Sequence, residues 1–166
     1  MRLPLSASNG ESLRSQITGG NKATATEENA VIYHQVRFAI NPEAPRDQVE
    51  AALELMRRLG RELEAIESFC VGRDFGGEFT VGAVYVLKDI KAYEMYMNAP
   101  LHLQIDRAGL PLVKNMISQD LTDDPDPAIG DKIAEIHRKR YATHADVAGL
   151  VGNLGSYEGS GVPKTA

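Results

Sequence analysis

The chain has 166 residues, 43% hydrophobic and 25% charged, with a net charge of −5, one cysteine and no tryptophan, which describes a globular domain with some residues to spare. The mild acidic balance argues against a nucleic-acid binder and removes the main electrostatic pull toward an anionic membrane. Cys70 alone cannot form an internal disulfide, the opening "MRLPLSASNGESLRSQ" has no apolar signal core, and no apolar run nears the roughly 20 residues of a membrane helix, so the cytoplasm is the expected location.

Residues 1–30 are rich in Ser, Thr, Asn, Gly and Ala without periodicity and read as a mobile arm, or one that orders only against a partner. Order begins with "VIYHQVRFAI", residues 31–40, where Ile32, His34, Val36, Phe38 and Ile40 alternate with Tyr33, Gln35, Arg37 and Ala39. Period two predicts a strand, with the first set on its core face and His34 the odd member of it. Pro45 opens a helix. In that helix Val49, Ala52, Leu53, Met56, Leu59, Leu63 and Ile66 recur at three- and four-residue steps, and Gly60 marks the start of its exit.

"ESFCVGRDF" predicts a second strand, turning at Gly76-Gly77, and "EFTVGAVYVL" a third. The third strand places Phe79, Val81, Ala83, Tyr85 and Leu87 on one face, and its other face is only weakly polar, so both sides are expected to be covered. Asp89 can cap a short helix through Met97. Asn98-Ala99-Pro100 breaks it, a further helical turn or two follows, and "NMISQDL" predicts a fourth strand. The order β-α-β-β-α-β is the split βαβ of ferredoxin-like α+β folds, with an antiparallel four-stranded sheet and helices on one face. A second copy of the chain is the economical cover for the other face, making a homodimer.

Composition shifts at Asp123. Residues 123–166 predict an extra helix, with Ile129, Ile133, Ile136 and Tyr141 at near-helical spacing, that packs on the domain or on a partner. The last dozen residues, "GSYEGSGVPKTA", read as a flexible tail. The expected organisation is thus an arm over 1–30, a domain over 31–122 and a helical extension over 123–166.

Few residues carry chemistry. His34 on an apolar strand face reads either as a satisfied core histidine or as a functional one, because a buried imidazole needs partners for its nitrogens. His102, just past the break, can act as a general base or as an ordinary cap residue. Tyr96 lies six residues earlier. An unbroken helix would hold the two on different faces, but the Pro100 break allows the second segment to fold back, and a phenol beside an imidazole can stabilise an oxyanion. His137 and His144, near Arg138, Lys139 and Arg140, read as a solvated charged face. No CxxC, clustered Cys/His spacing, GxGxxG, P-loop or GxSxG is present, so no metal and no nucleotide cofactor is expected.

The strand "HQVRFAINP" and the segment "YMNAPLH" resemble the stress-responsive dimeric α/β-barrel family, the Dabb domain, whose patterns are HxVxFxxxP and YxxHPxH; the likeness covers about 90 of the 166 residues. Ala99 replaces the first histidine of the second pattern. Among family members the chain resembles polyketide cyclases of the olivetolic-acid type, which implies catalytic roles for Tyr96, His102 and His34. Those enzymes have a further histidine where this chain has Val81, and with Ala99 that difference implies another substrate.

The resemblance implies a pocket between sheet and helices, with Val36, Phe38, Val81, Ala83 and Tyr85 binding substrate. It also implies a cofactor-independent lyase or cyclase, with His102 as base and Tyr96 as donor, performing aldol-like or retro-aldol chemistry on an aromatic, phenolic or polyketide-like molecule. The alternatives are a non-catalytic stress-responsive binding or scaffold dimer, and a haem-degrading monooxygenase of the related barrels with His102 on the iron. The C-terminal helix, turning Ile133 and Tyr141 inward, would act as a lid over the pocket.

Overall fold

The computed structural model describes residues 30–161; the arm expected over 1–30 lies outside them except for Ala30. The order is β1 (Ile32–Ile40), α1 (Arg46–Glu62), β2 (Ile66–Arg73), β3 (Val81–Leu87), α2 (Ile90–Asn98), α3 (Pro100–Gly109), a 3₁₀ turn, β4 (Val113–Thr122), α4 (Ile129–Thr143), α5 (Ala145–Gly152) and β5 (Ser156–Gly159). The first four strands and the helices between them make the ferredoxin-like α+β unit. Among the described residues no helix is long and apolar enough to cross a membrane.

The sheet runs β2-β3-β1-β4-β5. β1 lies at its centre, antiparallel to both β3 and β4. Because successive residues of a strand face opposite sides, its register decides the site. His34 sits between Tyr85 and Asp120, Val36 between Ala83 and Ser118, and Phe38 between Val81 and Met116. These nine side chains share the face that the helices cover. Ile32, His34 and Val36 are buried while Tyr33 and Gln35 are exposed, as period two requires.

α1 lays Ala52, Leu53, Met56 and Leu59 on that face, and a fully buried Leu contributes about 1.5–3 kcal/mol. The helix runs two residues past Gly60, to Glu62. Gly60 is instead a contact point, where a Cβ would collide with the Phe69 ring. In α2, Asp89 accepts the amide of Ala92 at 2.7 Å and caps the helix. Pro100 stands at the first turn of α3, where its missing N–H costs nothing and its fixed φ suits the helix.

The expected four-stranded sheet has a fifth strand. Ser156–Gly159, read from sequence as part of a flexible tail, pairs parallel with Asn115–Ser118 of β4. The four residues Ser-Tyr-Glu-Gly, in a glycine-rich stretch, carry no strand pattern of their own, and the open edge of β4 supplies the order. Gly159 permits the approach, since a Cβ there would collide with the Ser118 carbonyl. The far face of the sheet is open in a single chain: Tyr33 is 45% and Leu121 73% exposed, with Val84, Val86 and Ile117 half-buried beside them.

Candidate functional site

The proline break does bring its flanking residues together. α2 ends on the extended residue Ala99 and α3 starts afresh at Pro100. The His102 ring then lies 4.4 Å from the Tyr96 ring, centroid to centroid, and Tyr96 lies 5.2 Å from His34 on β1. All three are buried. They line one cavity of about 80 Å³ between the sheet and the helices, several times the roughly 10–15 Å³ that holds a single water. Val36, Phe38, Val81 and Tyr85 line it too, with Leu53, Met56 and Met116. Ala83 does not reach it and stays in the core.

His34 is held from behind. Its Nδ1–H donates to Asp120 Oδ1 at 2.8 Å, across the β1–β4 pair that the register sets. Tyr93 Oη–H donates to Asp120 Oδ2 at 3.0 Å and accepts from His137 Nε2–H at 2.8 Å. Burial alone would push the Asp120 carboxyl up. The neighbouring His34 and hydrogen bonds from His34, Ser160 and Tyr93 outweigh it and hold the group below the usual carboxylate value. Asp120 is therefore an anion at neutral pH, and it fixes the His34 tautomer with the lone pair on Nε2.

His102 Nδ1–H donates to the Tyr96 carbonyl at 3.0 Å, leaving Nε2 3.8 Å from Asp106 Oδ1, too far for a hydrogen bond. Burial first, then the charge of Arg140, lowers the ring from 6.5 to about 4 against the pull of Asp106. Tyr96 is pushed well above the usual phenol value, foremost by burial, so its hydroxyl keeps its proton. Its ring is fixed by His34, His102 and Tyr85. Tyr85 Oη is already committed to the Met56 carbonyl at 3.0 Å, so that residue offers the cavity a ring rather than a donor.

Four site residues escaped the sequence reading: Tyr93, Asp120, His137 and Arg140. The expected solvated face at 137–140 is half wrong. His137 is 2% exposed and Arg140 4%, while Arg138 and Lys139 point outward. Ile133, Ile136, His137 and Arg140 follow three- and four-residue steps, so one stripe of α4 faces α2 and the cavity. That spacing was present in the sequence, but the run of basic residues obscured it. His144 stands half-buried where α4 meets α5. Among the described residues, no three His, Cys, Asp or Glu side chains are placed to share a metal ion.

The family model of the stress-responsive A/B barrel domain, Dabb, matches residues 32–123. No curated protein matches the chain. Solved structures do. A dimeric ferredoxin-like protein of unknown function from Thermobifida fusca is 20% identical, over 57% of this chain and 92% of its own, with a TM-score of 0.52. A Dabb protein from Mesorhizobium loti is 19% identical over 56% of this chain and 96% of its own, at 0.50. The hydroxynitrile lyase of Passiflora edulis is 13% identical over 55% of this chain and 92% of its own, also at 0.50. Such identities speak for the fold alone. The family match ends before His137 and Arg140, so two of the cavity's polar residues come from outside the matched domain.

Proposed function

Since the chain belongs to the Dabb family, we propose that its cavity is a cofactor-independent acid–base site for a small, mainly apolar molecule, working as a lyase or cyclase. One observation carries this reading. Three buried polar side chains on the cavity, His34, Tyr96 and His102, each leave an atom without a hydrogen bond among the described residues: Nε2, Oη and Nε2 respectively. None of the three is sealed off from space. A purely structural core would pair them.

In this reading His34 is the base, rather than His102. Asp120 sets its tautomer and steadies the imidazolium that forms. His34 Nε2 takes a proton from a substrate carbon or hydroxyl. From carbon, the C–H electron pair becomes an enolate whose charge rests on the adjacent carbonyl oxygen. From a β-hydroxyl, the O–H pair forms a new carbonyl as the C–C bond breaks, and the electrons of that bond move to the neighbouring carbonyl oxygen as an enolate. Tyr96 Oη–H donates to that oxygen. The neutral His102, with its lowered basicity, accepts a hydrogen bond from a substrate hydroxyl. The aldol-like and retro-aldol reactions of aromatic, phenolic or polyketide-like substrates have this form. The Passiflora lyase supports the class by carrying lyase chemistry on the same fold.

A homodimer completes the proposal. The Thermobifida neighbour is dimeric, and a second copy would cover the open face around Tyr33 and Leu121. The single exposed cysteine suits a reducing compartment such as the cytoplasm.

Tyr96→Phe tests the site. Turnover, located by screening phenols and polyketide-like ketones, falls about 10²–10³-fold, while the melting temperature holds because Oη makes no hydrogen bond to the described residues. Full turnover by the variant would refute the donor role. A wild-type protein that binds such compounds and converts none would favour the non-catalytic binding dimer.

A further inference from the structure

Arg140 enters the cavity from α4 and is nearly inaccessible to bulk solvent, at 4% exposure. Its Nε–H donates to the Met97 carbonyl at 2.6 Å, and Nη2 donates to Asp106 Oδ2. Nη1 has no acceptor among the described residues.

Another arginine of the same chain shows how a structural pairing looks. Arg37 gives Nε and Nη2 to the two oxygens of Asp74, at 2.6 and 2.8 Å, a fork-to-fork match. Arg140 gives Asp106 one nitrogen only. The second oxygen of Asp106 turns toward His102. The terminal edge of the Arg140 guanidinium therefore keeps donors to spare, beside Tyr96 and His102 and among apolar walls. Donors that face a cavity rather than a protein acceptor are open to a ligand, and guanidinium geometry suits a carboxylate.

We propose that Arg140 is a substrate-recognition residue: its free edge binds the carboxylate of a compact apolar acid, such as an aromatic monocarboxylate, whose body fills the apolar part of the cavity. This names the substrate class of the site proposed above and rests on that reading. It also gives the C-terminal extension a role in specificity, since Arg140 lies outside the matched residues 32–123.

The test uses the full chain at pH 7.5 and two probes of one shape, 4-methylbenzoate and 4-methylbenzamide, titrated while following the His34 and Tyr96 resonances. The anion binds about tenfold or more tightly than the amide, the gain of one charge-assisted contact. In the double variant Arg140→Gln with Asp106→Asn, which replaces a charged pair by a neutral one of similar shape, that ratio drops to about one. Equal binding of the two probes by the wild-type protein overturns the inference and leaves the cavity reading standing. A ratio that survives in the double variant also overturns it. Neither probe reaching the His34 and Tyr96 resonances overturns both readings. The wild-type ratio requires no variant to fold.

Discussion

Replacing His34 with asparagine lowers kcat/KM about 10²–10⁴-fold, the usual contribution of a positioned general base. The asparagine amide keeps a donor near Asp120 and removes the nitrogen that faces the cavity, so the fold persists and the chemistry stops. Asp120→Asn gives a second arm of the same experiment. Its amide no longer demands Nδ1–H, the ring is free to take the other tautomer, and activity falls with the shape of the site retained. Removing the buried carboxylate altogether, as in Asp120→Leu, strands the partner groups His34 and Tyr93, and losing one partner of such a pair costs about 3–5 kcal/mol. Kinetics on a substrate found by screening, with melting curves of each variant, separate the two effects. An asparagine at 34 that leaves turnover intact would remove His34 from the chemistry.

Acid should unfold this protein early. His102 and His137 are both lowered to about 4, burial being the leading cause for each. Between pH 6.5 and pH 4 the unfolded chain binds protons at these positions that the folded chain refuses. Stability is therefore complete above the unfolded value and drains away as pH falls through that window. A gap of about two and a half units corresponds to on the order of 3 kcal/mol for each ring, a large share of a domain's usual 5–15 kcal/mol or so. Asp120, held low, acts in the same direction but only below the ordinary carboxylate value, so the two contributions separate along the pH axis. Urea midpoints measured from pH 7.5 to pH 4.5 should fall steeply below pH 6.5, and His137→Phe should flatten the slope by about one proton's worth. A midpoint unchanged down to pH 4.5 would contradict the buried, neutral state of both rings.

Much of this is legible in the chain itself. Alternation from Ile32 to Ile40 fixes β1, three- and four-residue steps fix α1, and Asp89 and Pro100 mark where two helices begin. What was hidden was hidden for physical reasons. On β4 the cavity face carries Met116, Ser118 and Asp120, whereas the outer face carries Ile117, Gln119 and Leu121. The outward side is thus the more apolar, and hydrophobicity alone points the strand the wrong way. Polar groups on the inner side of β4 and an open sheet face on its outer side together produce that inversion. β5 is specified by the edge it joins rather than by its own residues. His137 and Arg140 sit in a basic run whose middle members, Arg138 and Lys139, are solvated, so charge masks a helical stripe. The Tyr96–His102 meeting was readable only through the proline break, and Asp120 only through the register of β4 against His34.

A crystal structure with a small hydroxybenzoate soaked in decides whether the cavity is a working site. Ligand is expected in the cavity, with an oxygen within about 3 Å of His34 Nε2 or Tyr96 Oη, the reach of a catalytic hydrogen bond. A cavity closed by its own side chains, with both of those atoms bonded to protein groups and no ligand admitted, would contradict it.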